Sequence, residues 1–132
     1  IVATAARLSA NGFEPVFIAP SNTNMGRAIT YFDQMIQVPG ALQFLKEFSY
    51  HRYGGVSTSN LQSIAQRARQ YGLGTSMLEW WSGSNTYRTL HEDLKIGENT
   101  AWQEAVIRGY FNVNDTDPAN PTITIADRTK FT

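Results

Sequence analysis

The chain has no cysteine. That excludes a disulfide framework and a thiolate metal site, and is neutral on compartment. It also lacks an excess of either charge: 11 basic residues stand against 11 acidic ones, and only 17% of residues are charged. A nucleic-acid footprint or an anionic-membrane binder would need a basic surplus, so neither partner is expected. Nothing in the net charge resists self-association. No apolar run reaches membrane-spanning length. Gly54-Gly55 and Gly72-x-Gly74 lack the context of a phosphate loop, and there is no Gly-x-Ser-x-Gly nucleophile elbow. His91-Glu92-Asp93 falls on a predicted helix, where adjacent side chains fan apart, so no metal site and no cofactor are expected.

What is present suits one domain spanning residues 1–132. Apolar residues make up 42% of the chain, enough for a real core. The chain opens on Ile1 rather than Met, which reads as a trimmed or excised piece.

Strand-like and helical patterns alternate. Ile1–Asn11 reads as a short amphipathic helix stopped by Asn11-Gly12. Pro15–Ala19 is an apolar run of strand length, closed by the turn-like Pro20-Ser-Asn-Thr-Asn24. Met25–Gln37 has helical spacing, with Ala28, Ile29, Phe32, Met35 and Ile36 on one stripe, and Ala41–Lys46 is a second helical piece. Phe48–Tyr53 is a β-rich run, and Ser57–Asn60 caps a helix from Leu61 to Tyr71 that stops at Gly72. Thr75–Trp81 is the next strand and Thr86–Leu94 the next helix. Ala101–Ile107 fits either strand or helix; Ile123–Ile125 is strand-like, and Ala126–Phe131 starts a helix.

Strand starts near Pro15, Phe48, Thr75 and Ala101 recur about every thirty residues, the length of a βα unit. That rhythm predicts an α/β fold with a parallel sheet and right-handed crossovers. Four units make a small open sheet, or half of an eight-stranded barrel whose inner face one chain alone leaves uncovered.

Chemistry gathers at the strand ends. In Thr75–Trp81 simple alternation puts Thr75, Met77, Glu79 and Trp81 on one face and Ser76, Leu78 and Trp80 on the other. With Leu78 and Trp80 under the helices, Glu79 points inward at the C-terminal end. A carboxylate there is a rim ion pair, or a nucleophile or base. His51 and Tyr53, two residues apart, face Glu79 from the neighbouring strand. A tyrosine hydroxyl can donate to a carboxylate and fix its rotamer, while a histidine can bind a sugar hydroxyl. Trp81 is the best candidate to stack on a pyranose, with Trp102 weaker and Trp80 read as core. Asn22, after the first strand, can reach sugar hydroxyls, though as a turn residue it needs no function.

With these residues in place, Phe13 to about Arg108 resembles the second half of the catalytic barrel of clan A glycoside hydrolases, near families 30, 39 and the heparanase-like enzymes. The resemblance implies strands five to eight of a TIM-type (β/α)₈ barrel. It implies Glu79, in Met77-Leu-Glu-Trp80, as the nucleophile ending strand seven, and His51-Arg-Tyr53 as the His-x-Tyr pattern of strand six, with Tyr53 on the nucleophile. The clan's acid/base glutamate ends strand four, upstream of this chain, and Glu14 lies at the wrong end of its strand to replace it. Retaining hydrolysis needs two carboxyl groups about 5–5.5 Å apart. The expectation is part of a retaining glycosidase, with Glu79 and Tyr53 catalytic and His51, Trp81, Asn22 and Trp102 binding carbohydrate. Alone it would be weakly active or inactive. It would be completed by the remainder of a longer chain or by a homodimer. The alternatives are a carbohydrate-binding or self-assembling half barrel that does not cleave, and a small α/β protein in which Glu79 is a rim ion pair.

Overall fold

The computed structural model describes residues 1–80, 87–103, 111–114, 116–117, 119–120 and 122–125. The chain runs α1 (Val2–Ser9), β1 (Phe17–Asn24), α2 (Met25–Met35), a 3₁₀ turn (Leu42–Phe44), β2 (Leu45–Gly54), α3 (Thr58–Tyr71), β3 (Gly74–Glu79), α4 (Tyr87–Lys95), β4 (Ala101–Trp102), β5 (Phe111–Asn114) and β6 (Thr122–Ile125). Strands β1 to β4 form one parallel sheet in chain order, and β5 and β6 pair antiparallel in a second, two-stranded sheet. No helix among the described residues is long and apolar enough to cross a membrane.

The α/β alternation is the one the hydrophobic rhythm predicts, and caps fix its helix ends. The Asn24 side chain accepts from the Arg27 backbone N–H at the start of α2, and Ser57 accepts from that of Asn60 at the start of α3. Gly72 ends α3 at φ 67°, a left-handed conformation that glycine adopts without a Cβ clash.

Three boundaries differ from the sequence reading. The turn expected at Pro20–Asn24 is strand, because β1 lies at the sheet edge, where a proline without an N–H is tolerated. The helix expected over Ala41–Lys46 shortens to a 3₁₀ turn, and β2 begins at Leu45, whose side chain joins the core. Ala101–Trp102 is strand, paired with Ser76–Met77. The continuation to Ile107, and Ala126–Phe131, lie outside the described residues.

Helices α2, α3 and α4 all pack on one face of the sheet. Phe48 of β2 stacks on Phe32 of α2, with ring centroids 4.3 Å apart. Met25, Ala28, Leu61, Ile64 and Ala68 close the same core over Tyr50 and Met77, and α4 reaches it through Asp93. Consecutive strand order with these three helices on one side leaves no switch point among the described strands. The opposite face carries Glu47, Ser49, His51 and Tyr53 of β2 in alternation.

Candidate active site

The structure corrects the face that the sequence reading gave to Thr75 and Met77. Thr75 and Met77 pair with Phe48 and Tyr50 and sit buried on the helix-covered side. Simple alternation would carry Glu79 to that side too. The register shifts at this point: Tyr50 pairs with Met77, but His51 pairs with Glu79, so Leu78 is an extra residue on β3. Such a bulge rotates the next residues of its strand. Glu79 is thereby aimed at the face that carries His51 and Tyr53. Trp80 returns to the helix-covered side, where its ring meets the core and lies under the Arg52 guanidinium, 5.8 Å from its centroid.

Three adjacent strand ends then supply one cluster. The Tyr53 hydroxyl donates to Glu79 Oε1 at 3.1 Å. His51 Nδ1 faces Glu79 Oε2 at 3.8 Å, and its Nε2 lies 2.8 Å from the Ser21 hydroxyl of β1. His51 is 7% exposed, while the Glu79 side chain is 46% exposed. The ring is thus fixed from inside and the carboxylate is open to a ligand. Ser21 holds φ 53°, a region that residues other than glycine rarely occupy.

Of the remaining expected site residues, Asn22 follows Ser21 in the same strand end, and its Oδ1 accepts from the Asn24 backbone N–H. Trp81 lies outside the described residues. Trp102 is not brought to Glu79. It pairs in register with Met77 on the helix-covered side, and its indole N–H donates to Asp93 Oδ2 at 2.8 Å. Glu47 shares the face of Glu79 but sits four residues before His51 on β2, about 13 Å away at ~3.3 Å per residue. Glu14 precedes β1, and Glu92 and Asp93 belong to α4. No group of three metal-ligating side chains comes together among the described residues.

Behind the cluster lies a polar knot that sequence reasoning missed. Asp93 is fully buried and accepts from the Tyr50 hydroxyl at 2.6 Å, Arg52 Nη1 at 2.6 Å and the Trp102 indole at 2.8 Å. Arg52 also reaches Glu92 at 3.1 Å. Burial, and then the charge and hydrogen bond of Asp93, push the Tyr50 phenol well above its ordinary range, so it remains a donor. Arg52 lies between His51 and Tyr53 in sequence and against Trp80, the neighbour of Glu79, so the knot braces both strand ends from below.

His51 titrates below the ordinary imidazole range. Burial disfavours its charged form, and the opposing pull of Glu79 is smaller. The unfolded chain therefore binds a proton, below about pH 6.5, that the native chain refuses. Stability from this group is complete above that pH and is lost as pH falls toward the lower native value. The urea midpoint should drop between about pH 7.5 and pH 5, and the drop should shrink in His51→Gln. Identical pH dependence in both proteins would show that His51 does not titrate this way.

Comparison of the chain with protein-family models, with curated proteins and with solved structures finds no match in any of the three.

Proposed function

We propose that this chain is the nucleophile-bearing half of a retaining glycoside hydrolase site, built on half of a TIM-type (β/α)₈ barrel. The observation that carries the reading is the Tyr53 hydroxyl on Glu79 Oε1 at 3.1 Å, at the C-terminal end of a parallel sheet. Sites in such folds gather at that end. The consecutive strand order and single-sided helices are the arrangement a barrel segment needs. In the proposed reaction Glu79 attacks the anomeric carbon, Tyr53 holds the carboxylate, and His51 and Asn22 bind sugar hydroxyls. An acid/base carboxylate comes from outside this chain.

An activated donor tests the nucleophile without that acid. A 2-deoxy-2-fluoroglycosyl fluoride loses fluoride unaided as Glu79 bonds to the anomeric carbon. A panel of pentosyl, hexosyl and uronosyl donors is expected to leave one glycosyl group on the peptide that contains Glu79. Labelling elsewhere, or none across the panel, would remove Glu79 from the role.

A second reading, self-assembly of two half barrels into a homodimer, is favoured by the state of the inner face. Ile18, on the edge strand β1, is 47% exposed. The buried Glu47 Oε2, Ser49 Oγ and Ser76 Oγ have no hydrogen-bond partner among the described residues. Those atoms are already shielded within the chain, so a bridging water would satisfy them, and the exposed Ile18 is what a facing chain would cover. Light scattering over a range of concentrations is expected to give twice the monomer mass under this reading; the mass of one chain throughout would dismiss it.

A further inference from the structure

In the proposed glycosyl transfer the contact between Ser21 and His51 does no more than hold the His51 ring. Ser21 Oγ lies 2.8 Å from His51 Nε2, and the other ring nitrogen faces Glu79 Oε2 at 3.8 Å. Serine, imidazole and carboxylate thus stand in line across β1, β2 and β3. We propose that Ser21, His51 and Glu79 form a nucleophilic triad acting on carboxylic esters, a second activity that needs no residue from outside the chain.

Three features support the assignment. The first is order: nucleophile within hydrogen-bond reach of a base, and base next to an orienting carboxylate, is the relation acyl transfer requires. The 3.8 Å separation is longer than a hydrogen bond, and such contacts tighten when substrate binds. The second is proton placement. With the proton on Nδ1, toward Glu79, Nε2 is left to accept from the Ser21 hydroxyl; the buried Nδ1 has no hydrogen-bond partner among the described residues. The third is backbone: Ser21 holds φ 53° at an exposed position on the sheet edge. Sparsely populated conformations persist where the surroundings impose them, and they cluster at active sites.

The step balances within the chain. Ser21 Oγ bonds to the ester carbonyl carbon as His51 Nε2 takes the hydroxyl proton, and the Glu79 charge stabilises the resulting imidazolium. The carbon–oxygen bond to the alcohol breaks, and His51 returns the proton to the departing alcohol oxygen. Water then attacks the acyl-serine, again with His51 as base, releasing the carboxylic acid and restoring the serine. The weakly held leaving groups of aryl acetates suit a site with this exposure.

A small alkyl fluorophosphonate reads this chemistry directly. It phosphonylates an activated serine with loss of fluoride. The expected result is a single adduct on the peptide containing Ser21. It should be absent in Ser21→Ala and form at least about tenfold more slowly in His51→Gln and Glu79→Gln, a loss of about 1.4 kcal/mol or more in transition-state binding. Hydrolysis of p-nitrophenyl acetate should follow the same order. Because the chain has no cysteine, Ser21→Cys introduces a single thiol. Its alkylation by iodoacetamide should be at least about tenfold faster than in Ser21→Cys/His51→Gln. That comparison holds even if Ser21→Ala fails to fold. An adduct on another serine, no adduct at all, or a thiol indifferent to His51 would each overturn the proposal. The glycosyl trap reports on Glu79 and the phosphonyl adduct on Ser21, so the failure of either reading leaves the other standing.

Discussion

Asp93→Ala is expected to destabilise the fold by about 3–5 kcal/mol, because it strands a buried cation. The Arg52 side chain is 5% exposed and meets Asp93 Oδ1 at 2.6 Å. After the substitution its remaining partners among the described residues would be Glu92, which is partly exposed, and the face of Trp80. The Trp102 indole would lose its acceptor, while the Tyr50 phenol would keep Asn99 at 3.1 Å. Against a typical stability of roughly 5–15 kcal/mol this is a large fraction. The melting temperature should fall on the order of 10–20 °C for a chain of this size. Replacing both charges, as in Arg52→Met with Asp93→Leu, should recover part of the loss, because an apolar pair removes the desolvation penalty along with the attraction. Urea unfolding of the three proteins decides the matter. A loss under about 1 kcal/mol in Asp93→Ala would mean that the knot relaxes or hydrates freely.

Glu79→Gln carries the largest expected effect on reactivity. Glutamine keeps the size of the side chain and can still accept from Tyr53, but it cannot form the glycosyl ester. Trapping by the activated fluoride should slow by at least about a thousandfold, equivalent to about 4 kcal/mol of barrier. Glu79 reaches the site from a half-exposed strand end, so its loss should barely move the urea midpoint. That contrast separates a chemical role from a structural one. A trapping rate within tenfold of the parent would show that another group attacks the sugar.

The two predictions fall on residues of very different visibility. Glu79, His51 and Tyr53 were legible because a carboxylate and a His-x-Tyr pair at the ends of apolar runs conflict with burial, and conflict is what a site looks like in sequence. Their meeting through Tyr53 and Nδ1 of His51 needed strand adjacency and the register shift at Leu78. The route by which Glu79 arrives was not legible. A bulge is a relation between two strands, so the extra Leu78 leaves no mark in β3 read alone. Ser21 was hidden by composition, since Pro-Ser-Asn-Thr-Asn has the residues of a turn and yet continues an edge strand.

Asp93 was concealed for another reason. Helix α4 leaves Tyr87, Leu90 and Leu94 exposed and buries an aspartate instead. Periodicity follows apolar residues, so it cannot find a helix docked through charge. The available signal was Arg52: an arginine alternating with Phe48 and Tyr50 on the core face of a strand requires a buried acceptor. Trp102 obeys the same logic, since a buried indole N–H seeks a partner, and Asp93 is the one it finds.

Leu78 has a consequence for how such a site could be gained or lost. Deleting Leu78 would place Glu79 directly after Met77, and strict alternation would still leave its carboxylate on the side of His51 and Tyr53. Straightening the bulge with Leu78 kept would instead carry Glu79 to the side of Thr75 and Met77. Every chemical group of the cluster would then survive in the sequence, yet the cluster would no longer exist. The pairing of two strands, which no residue of the site spells out by itself, decides whether these groups have a place to meet.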